Sequence, residues 1–399
     1  MTQEQKLLLA LVRGELTGEP PVLDEKTLAS ADWDALLREA QQQAVTLMAA
    51  DALSPFGRFV TNASAWTAAA ARQLRANFAL TQTEAWLEKT LAPEPMTILK
   101  GMSAASYYRW PSGRILGDID FLTDPAKTEA LSALLVKNGC TRSDEPDCDH
   151  HVTLLRGLVV LELHFTIPAI PFGRAGEPVR ARAEGILSRS ITRTLDGQTF
   201  SSPCPADHAL VLLLHTEKHM QECGVGVRHL CDWAAFLMAE QDAPFWPELL
   251  DLLKQIGLLR FAAVLSRVCA DYLGAPLPAF AENVPPELAA AVMEDVLSVG
   301  NFGRKNKQLQ ESSPTQLFRD REMRELHLDT LRHKLRLGVL QRYPRAGKNP
   351  VLYPFLALYR AVLYAVRSLF GLRPRLSKIA PYAHSREEMF RALRLFEAE

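Results

Sequence analysis

The chain has 399 residues, 48% of them hydrophobic, and its 45 Lys and Arg against 46 Asp and Glu leave a formal net charge of −1. That length and apolar share can bury a large core in two or three packed units, which excludes a disordered chain, and the balanced charge excludes polyanion binding by bulk charge alone. Six cysteines, Cys140, Cys148, Cys204, Cys223, Cys231 and Cys269, show no Cys-x-x-Cys pair and no zinc spacing, so they read as reduced thiols.

From the N-terminus, Met1 to Lys6 begins a polar helix and not a basic segment followed by an apolar run, so no secretory signal and a cytoplasmic location are expected. Helix-period apolar positions predict helices over 3–15, 33–53 and 64–91, the last ending before Pro93-Glu94-Pro95. Residues 1–94 are therefore read as an N-terminal helical segment. No internal repeat or low-complexity tract argues for a solenoid.

Residues 95–204 carry the sheet pattern. A strand through Ile98 leads into the turn Lys100-Gly101-Met102-Ser103, a short helix follows, and Asp118-Ile119-Asp120 lies on an apolar strand. Alternate side chains of a strand share a face, so Asp118 and Asp120 point the same way. Adjacent carboxylates repel unless a cation sits between them, and hard oxygen ligands suit Mg²⁺. The strand pair is then half of a metal site. A third carboxylate is offered by the strand Leu158–Phe165, where Glu162 and His164 share one face, and either of them can complete the site. His151–Leu155 reads as that strand's hairpin partner with Arg156-Gly157 as the turn, Pro125 opens a helix through Lys137, and Ser190–Phe200 reads as a hairpin around Asp196-Gly197.

Lys100-Gly101, Ser103, Arg114, Asp118-x-Asp120, Glu162 and the Leu163-His164 strand ending resemble the nucleotidyltransferase superfamily that includes DNA polymerase beta. More narrowly they resemble an uncharacterised bacterial nucleotidyltransferase family, over roughly residues 95 to 240. Three departures stand out: Met102 separates Gly101 from Ser103, Trp110–Gly113 lengthens the loop before Asp118, and Glu162 stands where Asp is more frequent. The resemblance implies an α+β core, a nucleotidyltransferase-fold mixed sheet with helices, that transfers a nucleotidyl group from an NTP such as ATP to an unidentified acceptor. It also implies that Asp118, Asp120 and Glu162 are catalytic and metal-binding, holding two Mg²⁺ (or Mn²⁺) ions about 3.5–4 Å apart. Gly101 would let the backbone approach the phosphates and Ser103 would donate hydrogen bonds to them. Lys100, Arg114 and Lys218 would neutralise triphosphate charge. The acceptor is a small molecule, a protein or an RNA. The alternative is a chain that binds nucleotide without turnover and works as a scaffold.

Residues 205–329 read as a helical domain, with helices from Ala206 to about Val299. His208, His215 and His219 lie along one helix with Lys218 beside them, and no third zinc ligand is marked by spacing for the His215–His219 pair. Lys218 or His219 is expected to reach the triphosphate, and Arg228 with Asp232 to order this helical face against the sheet. Residues 330–399 form a basic, partly apolar tail: from 330 to 386 there are twelve Lys and Arg and no Asp or Glu. Within it, 351–371 is apolar almost all round, with Arg360 and Arg367 on one side. That segment reads as a helix packed on the body or in an oligomer interface, or as an interfacial helix bringing the protein to the inner face of the membrane. RNA contact through its tyrosines and basic residues is the minor reading, since no RNA-binding motif accompanies them.

Overall fold

Ile119, Phe121, Leu161 and Leu163 alternate with Asp120, Glu162 and His164, which calls for one apolar strand face and one that carries the polar groups, and the tertiary structure covers both. In the computed structural model, residues 1–143, 150–171, 173–305, 352–356, 358, 359, 362, 386 and 388–395 are described. Most of the 330–399 tail, much of the 351–371 segment and Cys148 lie outside the described residues.

The elements run α1 (Gln3–Thr17), α2 (Glu25–Ser30), α3 (Trp33–Gln42), α4 (Thr46–Ala52), α5 (Ala63–Leu91), β1 (Met96–Ile98), α6 (Met102–Ala105) and β2 (Ile119–Thr123). There follow α7 (Thr128–Lys137), β3 (Thr141–Arg142), β4 (His151–Arg156), β5 (Val159–His164), α8 (Gly176–Glu184), α9 (Ile186–Arg189), β6 (Ile191–Leu195) and β7 (Gln198–Ser202). Five further helices are α10 (Pro205–Glu222), α11 (Val227–Glu240), α12 (Trp246–Gln255), α13 (Leu259–Leu273) and α14 (Pro286–Val299). The fold is α+β. One mixed sheet has the strand order β1-β2-β5-β4-β3, in which only β2 and β5 pair in parallel, and β6-β7 form a separate hairpin.

Ile119, Phe121, Val152, Leu154, Leu161 and Leu163 pack against α5 and α7 in one apolar cluster under the sheet. Each such fully buried side chain contributes about 1.5–3 kcal/mol of transfer free energy. The intervening residues, Asp120, Leu122, Glu162 and His164, therefore face the other way, and Leu122 joins the larger core built by α1, α3, α4 and α10–α14.

The expected helix over 33–53 is broken at Gln43–Val45, with Ala44 at φ +56°. The fully buried Gln43 explains the break: its side-chain oxygen accepts from Val227 N–H (3.0 Å) and its carbonyl from Arg228 N–H (3.3 Å), so it supplies partners to the first turn of α11. The first hairpin turns at Gly157-Leu158, one residue later than expected, because Gly157 takes φ +60° and Arg156 still pairs with Val159. Asp196 and Gly197, at φ +49° and +79°, turn the second hairpin as expected.

Asn77 on α5 ties down the chain that enters β2. Its amide donates to the carbonyls of Arg114 (2.7 Å) and Ser112 (3.3 Å), and its oxygen accepts from Leu116 N–H (3.2 Å). Replacing Asn77 by Ala leaves buried backbone groups unsatisfied and should cost about 1–3 kcal/mol in chemical denaturation. Replacement by Asp should recover only the bond from Leu116. A loss within experimental error for Asn77→Ala would contradict this account of the loop.

Candidate active site

The register of β2 on β5 creates the site. Asp120 stands beside Glu162 and Leu122 beside His164 in the parallel pair, while β4 sets His151 opposite His164 and Thr153 opposite Glu162. β1 brings in the turn. Ile98 pairs with Phe121, and Leu99 N–H donates to the Asp120 carbonyl at 2.9 Å, so Lys100 leaves the sheet next to Asp120. Gly101 then takes φ +54°, ψ −117°, and a Cβ there would sit 3.2 Å from Glu84 Oε1. A backbone of that kind is glycine's domain.

Asp120 is fully buried, yet its Oδ1 has two cationic neighbours: Lys100 Nζ at 2.9 Å and His164 Nε2 at 3.0 Å. Burial alone would raise its pKa, but Lys100 and then the bond from His164 outweigh that and hold the carboxyl well below the usual range. For His164 burial opposes the charge, while its bonds to Asp120 and to Glu162 Oε2 (3.3 Å) overcome it and raise the pKa. Lys100 follows the same balance, burial outweighed by Asp120, Asp118 and Glu162. Glu162 is raised, by burial first, with the Asp120 and Asp118 charges adding to it.

Asp120, Glu162 and His164 each present a ligand atom within 4.8 Å of the other two, and Asp120 Oδ2 is buried with no hydrogen-bond partner. Two carboxylates, one imidazole and an orphaned carboxylate oxygen fit a divalent cation. Asp118 is half-buried at the entry to β2 and belongs to neither of the metal-capable groups found among the described residues. Its charge nevertheless acts on Lys100 and Glu162.

The expected nucleotide-binding residues divide. Lys100 and Gly101 lie at the carboxylates, and Lys100 Nζ also lies 3.4 Å from the ring nitrogens of His215 on α10. His219 stacks edge-on against His215 (centroids 4.2 Å apart), and both are driven well below the usual histidine pKa, by burial first and then by Lys100 and neighbouring histidines. Lys218 is half-buried on the same helix, and its charge is felt at His219 and at His151. Two residues face elsewhere. Ser103 is buried with its hydroxyl donating to the Ile98 carbonyl, so it holds the turn and presents no donor to a phosphate in this arrangement. Arg114 is spent on Asp232 in a buried two-point pair, Nε to Oδ1 at 2.6 Å and Nη2 to Oδ2 at 2.8 Å, with the Tyr108 hydroxyl donating to the same carboxylate. Arg228 Nη1 donates to the carbonyls of Ile115 (3.4 Å) and Leu116 (3.5 Å), beside Gly117, so Arg228 and Asp232 both hold the segment that enters β2.

Two contributors escaped the sequence reading. His151 was legible in principle, since counting out from the Gly157-Leu158 turn sets it opposite His164. Glu84, buried against the Gly101 turn with its pKa pushed up to about 8 by burial and then by Glu88, carries no signal within its helix.

Residues 29–274 match a family described as an uncharacterised nucleotidyltransferase. No curated protein and no solved structure matches the chain.

The paired charges make stability depend on pH in a defined direction. His164, raised above its ordinary 6.5, contributes stability in full below that value and loses it as pH climbs through the raised pKa. Asp120, depressed below 3.8, contributes above that value and loses it as pH falls through the lowered pKa. Chelator-treated protein should therefore lose denaturation free energy as pH rises above 6.5 through the raised pKa of His164, and His164→Gln should flatten that limb. An identical alkaline limb in the variant would remove His164 as its source.

Proposed function

Because the chain belongs to this uncharacterised nucleotidyltransferase family, we propose that it moves a nucleotidyl group from an NTP to an acceptor at the end of β2 and β5, with divalent metal. The observation that carries the reading is the register of Asp120 on Glu162, which sets two carboxylates side by side next to the Lys100-Gly101 turn. In this reading Asp118, Asp120 and Glu162 hold Mg²⁺ or Mn²⁺, with His164 as a further donor. Such ions supply positive charge to the phosphate oxygens and lower the pKa of an attacking oxygen.

The remaining work falls to the chain. Gly101 lets the backbone approach the triphosphate, and Lys100, Lys218 and His219 line its approach. Lys100 serves the carboxylates when nucleotide is absent and turns to phosphate oxygens when it is present. The acceptor oxygen attacks the α-phosphorus, its proton passes to Glu162, and the bond to pyrophosphate breaks, the β-phosphate oxygen keeping the electron pair. A carboxylate with a raised pKa suits that proton. Ser103 and Arg114 act as positioning residues, through the Ile98 carbonyl and Asp232.

The chain should release pyrophosphate from an NTP and transfer label from α-labelled NTPs to a cell-extract component, only with Mg²⁺ or Mn²⁺ present. Asp120→Ala should abolish both and remove most of the thermal stabilisation given by metal. Lys100→Ala and Lys218→Ala should each weaken NTP binding about tenfold in a salt-sensitive way. Metal-independent NTP binding with no transfer would instead favour the scaffold reading.

A peripheral membrane contact is the second part of the proposal. The exposed side chains of Leu352, Phe355, Leu358, Tyr359 and Val362, in the described part of 351–371, favour it. No described helix is long and apolar enough to cross a membrane. The full chain should sediment with anionic vesicles more than with neutral ones, and Phe355→Asp combined with Leu358→Asp, at two exposed side chains, should abolish this while sparing NTP binding. Equal sedimentation of that variant would withdraw the membrane reading.

A further inference from the structure

On β5 and β4, on the same face of the sheet as Asp120, the fold gathers imidazoles of which the transfer reading uses only His164. His150 precedes β4, His151 opens it, and His164 closes β5 directly opposite His151. A ring nitrogen from each of the three lies within 4.8 Å of the other two, and all three side chains are buried. Their ring centroids are 4.6, 5.0 and 5.5 Å apart.

Three rings packed away from water are stable together when they are not all charged. A neutral imidazole is the form that binds metal. His151 Nδ1 is buried with no hydrogen-bond partner and faces Glu162 Oε2 at 3.5 Å. The same Glu162 oxygen lies 3.3 Å from His164 Nε2, while the other ring nitrogen of His164 lies 3.3 Å from the Thr166 carbonyl. A backbone carbonyl on the far nitrogen is the usual device that fixes the tautomer and orientation of a metal-ligating histidine.

We propose that His150, His151 and His164, with Glu162 Oε2 as the fourth donor, form a binding site for a single zinc-class divalent ion. Three nitrogens and one carboxylate oxygen make a tetrahedral donor set for such an ion, whereas Mg²⁺ requires oxygen ligands in an octahedron. On binding, the ion takes the Nε2 lone pair of His164, and the proton that His164 shares with Asp120 and Glu162 leaves to solvent. The site goes beyond the transfer reaction and shares only Glu162 and His164 with it.

The test uses the full chain, stripped by chelator and titrated with Co²⁺ in the absence of nucleotide. A single Co²⁺ should bind with the intense visible absorption of nitrogen-coordinated, four-coordinate cobalt, be displaced by Zn²⁺, and resist excess Mg²⁺. His150→Gln and His151→Gln, with folding checked by circular dichroism, should each weaken Co²⁺ binding about tenfold or more. The weak spectrum of six-oxygen Co²⁺ in the unmodified chain, or displacement by Mg²⁺, overturns the proposal, as does unchanged affinity in both variants. The spectrum of the unmodified chain decides nitrogen coordination even if a variant fails to fold. With nucleotide absent, a failed transfer assay leaves this result standing, and a failed cobalt titration leaves the transfer reading standing.

Discussion

Asp120 is a carboxylate shut away from water, and the neighbouring strands are arranged to meet its charge. An isolated carboxylate in that position costs several kcal/mol unless it is paired and hydrogen-bonded. Lys100 and His164 supply the pairing, and each arrives by a different strand contact: β1 on β2 delivers the lysine, β5 on β2 the histidine. Slipping β5 by one residue against β2 would turn Glu162 and His164 toward α5 and α7 and drive Leu161 and Leu163 into the charged face. Register and electrostatics therefore enforce each other.

The helical layer is fastened to this sheet by polar contacts that are few but fully buried. Gln43 meets the first turn of α11, Asp232 on that helix takes both Arg114 and Tyr108, and Arg228 grips the carbonyls of Ile115 and Leu116. Asn77 holds the same stretch from the opposite side. Buried pairs of this kind add little net stability over apolar packing, but breaking one strands its partner, so they select one placement of the 112–118 segment. That segment leads straight into Asp118 and Asp120. Placement of the carboxylates thus depends on contacts made by residues over a hundred positions away in sequence.

Without metal or nucleotide the site sets Lys100 and His164, whose pKa is raised, against Asp120 and Glu162, with Asp118 at the edge. Such an arrangement is suited to exchange. In the proposed function a divalent ion would take the place of the histidine proton, and a triphosphate would draw on the lysine that the carboxylates hold. The neutral histidines His215, His219 and His229 around Lys100 add polar lining without adding charge, because burial and nearby cations keep them unprotonated.

Local pattern carried most of the architecture. The helices at 3–17 and 63–91, the strands through Ile98, Asp120 and Glu162, and the Asp196-Gly197 hairpin are legible because periodicity and turn chemistry are properties of neighbouring residues. Asp118 lies in a bend just before β2, but the sharing of one face by Glu162 and His164 follows from strand geometry alone. What pairs across strands does not. The sequence shows Ser103 and Arg114 as a hydroxyl and a cation near a glycine turn, and only the packed molecule spends the first on the Ile98 carbonyl and the second on Asp232. Gln43 breaks a helix that local propensity favours, because its hydrogen bonds reach α11. Glu84, His151 and the Lys100–Asp120 pair belong to the same class. The sequence by itself determined most of the elements and which face Asp120, Glu162 and His164 take, through interactions a few residues long; the tertiary structure alone decided which charges meet, because burial and distance between remote segments set the energy of every ion pair.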